Sequence, residues 1–125
     1  MMFLRYIEVQ MLVNSSLTVY HKVVKNREDT WEKHFYKNIW WFGGKGSSLN
    51  KGYAEANDVQ IRIPYDLNSS LDYNNFGIGD ILVQGEYEDI VSENDLKDLN
   101  IPYYNITSLN NNVFGNNKHI HVSGK

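Results

Sequence analysis

His119 and His121 stand two residues apart, so in an extended segment both imidazoles point to one side. With His21 or His34 they would offer three nitrogens to a transition metal. Two histidines alone do not close such a site, and no carboxylate accompanies them at a ligand spacing such as His-Glu-x-x-His. The expectation is no metal and no cofactor, with the pair serving as a polar strand face or a subunit contact.

Gly43-Gly44-Lys45-Gly46-Ser47-Ser48 has the ingredients of a phosphate cradle, because glycines free backbone N–H groups and lysine supplies charge. A P-loop needs glycine, four residues, then Gly-Lys-Ser/Thr between a strand and a helix, and that order is not met. Glu86 with Glu88 and Asp89 with Glu93 would serve as general acids and bases only if buried; along this stretch they read as solvated charges. No serine sits in a nucleophile-elbow context, so no catalytic residue is assigned and the chain is not expected to be an enzyme.

The remaining chemistry is that of contact. Trp40 and Trp41 are adjacent, and on a strand they must point to opposite faces. One of them therefore stands outside the core layer, where tryptophan is a favoured interface anchor.

The elements that would carry these residues read as strands. Nine Tyr, three Trp and five Phe suit a pleated, half-buried surface better than a helix. Residues 17–24 alternate and are rich in β-branched side chains; residues 26–30 form a charged turn. In residues 31–42, Trp31, Phe35 and Ile39 recur at a helical spacing, but Trp31, Phe35, Ile39 and Trp41 also share one strand face, and aromatic density favours the strand. Val59, Ile61 and Ile63 alternate with Gln60 and Arg62 until Pro64 ends the run. Residues 80–84 form another strand, closed by a turn or bulge at Gly85. Ser92, followed by Glu93 and Asp95, marks the start of one short helix that ends near Asn100. Residues 103–109 and 118–122 read as the last two strands, with a loop over 110–117.

The fold expected is mostly β: a small β-barrel or sandwich of about six strands with long loops and one short helix. A chain of 125 residues makes a single domain over 1–125, with residues 1–10 as an N-terminal extension. There is no cysteine, which excludes disulfides, zinc fingers and thiol chemistry. The net charge of −3 is a poor basis for gripping DNA phosphates. No apolar run reaches the roughly 18 residues of a membrane span, and the first residues lack a signal cleavage site. Synthesis in a cytoplasm and no membrane partner are the expectation.

The order of elements resembles a family of tailed-phage and prophage minor capsid or head-to-tail connector proteins from Gram-positive hosts. The resemblance is carried by residues 17–20, by Trp40-Trp41 ahead of the glycine/serine loop, and by Val59-Gln60-Ile61-Arg62-Ile63-Pro64. Residues 79–86, 105–109, Phe114-Gly115 and 119–125 add to it. It implies a head-completion, stopper-like virion protein: copies form a homo-oligomeric ring below the portal and adaptor, help close the DNA exit channel and dock the tail. DNA would pass nearby without sequence-specific binding. A tail-terminator or tail-completion protein, or a small β-rich inhibitor of a host defence enzyme, are the other readings.

Ring closure requires that one patch meet a different patch on the neighbour. The candidate subunit-interface residues lie on two long connections and the chain end. Trp40, Trp41, Gly43, Gly44, Lys45, Gly46 and Tyr53 belong to the loop over 43–56 and its approach. Tyr73 and Phe76 lie in the connection over 65–79. Phe114, His119, Ile120, His121 and Val122 lie at the end, where residues 119–122 are expected to be an edge strand able to add to a neighbour's sheet. On that expectation, deleting residues 117–125 blocks assembly and leaves a folded monomer.

Overall fold

A computed structural model describes residues 13–44 and 58–125. Six antiparallel strands, β1 (Ser15–Lys25), β2 (Glu28–Gly43), β3 (Val59–Pro64), β4 (Ile81–Gln84), β5 (Tyr104–Asn112) and β6 (His119–Gly124), pair in the order β1-β2-β3-β6-β5-β4. β4 returns to β1, which closes the barrel. One short helix, α1 (Glu93–Asp98), and a 3-10 turn at Tyr73–Asn75 complete the described elements. The mostly β architecture with about six strands and one short helix is therefore as expected.

Alternation builds the interior. Val59, Ile61 and Ile63 of β3 and Ile120 and Val122 of β6 are fully buried and meet Leu17, Val19, Ile39, Leu82 and Ile106 in one cluster. Each such side chain contributes about 1.5 to 3 kcal/mol by leaving water.

β1 buries both faces. Its outward side chains Thr18 and Tyr20 are buried under residues 85–103, and Tyr20 forms a second cluster with Ile81, Val83 and Leu96. Thr18 Oγ1 donates to the Gly85 carbonyl (2.6 Å) and accepts the Tyr87 N–H (3.2 Å), which holds this cover against the strand.

α1 begins at Ser92, where the Asp95 carboxylate accepts the Val91 N–H (2.7 Å). It ends in a left-handed Asn100 (φ 57°), with Ile101 N–H donating to Leu96 O and Asn100 N–H to Lys97 O, a Schellman arrangement. The apolar pair of that motif, Leu96 and Ile101, packs into the second cluster.

Four local expectations change. The turn after β1 is only Asn26-Arg27, both with positive φ as a type I′ two-residue hairpin requires, and residues 28–30 already belong to β2. Trp31 and Phe35 do not share a face with Ile39 and Trp41. Ser15 pairs with Ile39 but Leu17 with Tyr36, so β2 carries an extra residue, and its inward side passes from Tyr36 to Ile39. Residues 110–112 extend β5 rather than opening a loop. Finally, β6 is no edge: it pairs with β3 along its whole length and with β5 on the other side.

Candidate interaction surfaces

The connection over 65–79 was expected to project as a contact loop, yet much of it is packed. Phe76 is buried and stacks on Tyr36 (centroids 5.7 Å apart), Leu71 joins the core, and Tyr73 is half-buried against it. Buried Asn68 donates to the carbonyls of Asn38 (2.8 Å) and Pro64 (2.9 Å), pinning the connection to the β2 bulge. Phe76, Ile120 and Val122 thus belong to the interior, where another subunit has no access to their side chains.

Trp41 is the inward member of the tryptophan pair. It meets Tyr104 edge-on at 5.6 Å, and its indole N–H donates to the Gly43 carbonyl. Gly43 and Gly44 have φ of 89° and 110°. A Cβ on Gly43 would lie 2.5 Å from the Asp58 carbonyl oxygen and one on Gly44 2.7 Å from Tyr104 Oη, so both glycines serve the fold. Lys45, Gly46 and Tyr53, with residues 1–10, lie outside the described residues.

Trp40 faces outward and organises a platform on the barrel wall. Its ring lies parallel to that of Phe42 (5.8 Å, 5°), and the Arg62 guanidinium sits 4.9 Å from its centroid. Phe42 is 54% exposed. Strand register sets Arg62 opposite both Trp40 and His121, and His121 opposite Asn110, so one row crosses four strands. Beside it, the Gln60 side-chain oxygen accepts from His121 Nε2 (2.8 Å) and Ser123 Oγ (2.9 Å). Burial, and then the charges of Arg62 and His119, hold the His121 imidazolium below its ordinary pKa. Both ring nitrogens of His119 are bonded as well, Nδ1 to the Asn117 carbonyl and Nε2 to the Asn112 amide.

The other two histidines, on β1 and β2, have carboxylate partners of their own. His21 Nδ1 donates to Asp80 and His34 Nε2 to Glu32. Among the described residues no three His, Cys, Asp or Glu side chains gather as a metal site would require.

A second surface was not recognised from the sequence. Between α1 and the outer face of β1 lies an open cleft of about 390 Å³ above buried Tyr20 and Leu96, with half-buried Ile90 and Ile101 and exposed Leu99 as its apolar lining and Glu88, Asp89 and Asp98 at its rim. Tyr20 donates its hydroxyl to the Glu88 carbonyl (2.5 Å). Burial first, then the charges of Asp89 and Glu88, push that hydroxyl up to about 12. Beyond the barrel, Phe114 stands 90% exposed in the β5–β6 loop. The acidic residues are plain in the sequence; the apolar lining over Tyr20 is not, because it assembles from segments far apart in the chain.

The model of a family of unknown function (DUF6751) matches residues 12–125, and the chain belongs to that family. No curated protein and no solved structure matches the chain.

Proposed function

We propose that this family member is a structural assembly protein of the tailed-phage head-to-tail connector, forming a ring that completes the head, helps close the DNA exit channel and docks the tail. The observation that supports an assembly role best is the Trp40–Phe42–Arg62 stack. An outward tryptophan on a rigid wall, with an exposed aromatic and a guanidinium beside it, has the composition of an interface anchor. The wall itself is held on both sides by strand pairing, so the platform is presented with little ordering cost on binding. A net charge of −3 suits a ring through which DNA must slide without being gripped. The connector assignment itself rests on the resemblance in the order of elements.

Mass spectrometry of purified virions is the direct test, and the expected result is this chain at a fixed copy number. Particles lacking it should be filled heads that leak DNA. Heads beside tails of uncontrolled length would favour a tail terminator instead, and absence from mature virions would favour an inhibitor of a host enzyme and end the structural reading.

A further inference from the structure

Charge is sorted unevenly between two exposed elements. Residues 86–98 hold Glu86, Glu88, Asp89, Glu93, Asp95 and Asp98 against a single Lys97. The β5–β6 hairpin, residues 104–125, holds no acidic residue at all and carries Lys118 and Lys125. Each element also exposes apolar surface. The hairpin loop shows Phe114 at 90% exposure with Val113 beside it, and the cleft beside α1 has its apolar lining, with Leu99 70% exposed.

We propose that the hairpin loop of one copy seats Phe114 in the acidic-rimmed cleft between α1 and β1 of a neighbouring copy. This rests on the assembly reading above and names the two surfaces that meet.

Within one chain the contact is out of reach. Tyr20 at the cleft pairs with Ile81, and Ile81 with Asn105. Phe114 lies nine residues beyond Asn105, on the order of 30 Å along an extended strand. A second copy supplies both chemistries the cleft lacks. The phenyl ring covers Ile90, Leu99 and Ile101, while Lys118 and the amides of Asn116 and Asn117 offer donors to Glu88, Asp89 and Asp98. Asp95 is engaged with the Val91 and Ser92 N–H groups, so it supports the rim's charge rather than the contact. Because knob and cleft are different patches, a pair keeps one free cleft on one copy and one free knob on the other. Such a heterologous contact propagates until a ring closes.

The absence of cysteine makes the test clean. Asn116→Cys and Leu99→Cys are made in separate full-length chains, mixed and mildly oxidised. A disulfide-linked pair of the two variants is expected, well above the yield from Asn116→Cys mixed with Val24→Cys, an exposed site outside the cleft. In sedimentation, Phe114→Asp should weaken self-association about tenfold or more, the loss typical of an interface anchor. Lys118→Glu should weaken it too, and Asp98→Lys in the same chain should restore it. A chain that self-associates without the 116–99 link, and is indifferent to Phe114→Asp, overturns this interface while leaving the assembly reading intact. A chain that stays monomeric and is missing from virions overturns both.

Discussion

His21 Nδ1 lies 2.6 Å from Asp80 Oδ2, joining residues 59 positions apart in sequence. The Asp80 carboxylate is 3% exposed and also accepts the backbone N–H groups of Lys22 (3.0 Å) and Gly77 (2.8 Å). One buried anion therefore ties β1 to the connection that precedes β4. Without it, two backbone donors and an imidazole lose their acceptor in a place with little water. Asp80→Ala should cost about 3 kcal/mol or more, whereas Asp80→Asn, which keeps one acceptor oxygen, should cost less. Urea unfolding measures both. Equal midpoints for Asp80→Ala and the unaltered chain would show that the clamp carries no stability.

The tryptophan pair separates folding from contact. Trp41→Ala removes a core ring packed on Tyr104 and should cost about 3 to 5 kcal/mol. Trp40→Ala removes an outward ring and should cost about 1 kcal/mol, yet it should impair incorporation into particles. Thermal melts and virion composition read the two effects separately. A Trp40→Ala chain that enters particles normally would remove the platform from the assembly surface.

These predictions differ in how far the sequence alone reaches them. β3 is legible because its cause is local: Val59, Ile61 and Ile63 alternate, and Pro64 stops the run. The opposite fates of Trp40 and Trp41 follow from adjacency, but which of them faces inward does not. That is decided by the extra residue in β2, which sits beside Asn68, about thirty positions away. The burial of Tyr20 is hidden for a similar reason. An alternating strand reads as having one wet face, and only the fold brings residues 85–103 over it. β6 looked like an edge because it ends the chain, while barrel closure places it between β3 and β5.

His121 gives the wall a pH dependence. Its folded-state pKa lies below the ordinary 6.5, so the unfolded chain binds this proton more readily than the native one. The resulting stability is present above about pH 6.5 and is lost as pH falls from there toward the depressed value. Replacing His121 by Gln should flatten that part of the stability profile between about pH 7 and 5, leaving the carboxylate titrations unchanged. Denaturant midpoints across this range measure it, and parallel profiles for the two chains would refute the assignment.

Removal of residues 117–125 is the sharpest test of the barrel itself. The deletion takes away all of β6, and with it Ile120 and Val122 from the interior. It also breaks the ladders to β3 and β5, leaving the facing edges of two strands unpaired and the barrel open. Burial of Ile120 and Val122 alone accounts for about 3 to 6 kcal/mol, comparable to the whole stability of many small domains. The truncated chain should therefore lose cooperative unfolding and its near-ultraviolet tryptophan and tyrosine signal, since Trp41 and Tyr104 pack on one another in the same core cluster as Ile120 and Val122. A truncated chain that still melts cooperatively as a monomer would mean that the five remaining strands hold the core without β6, and that the chain end is free to serve a neighbour.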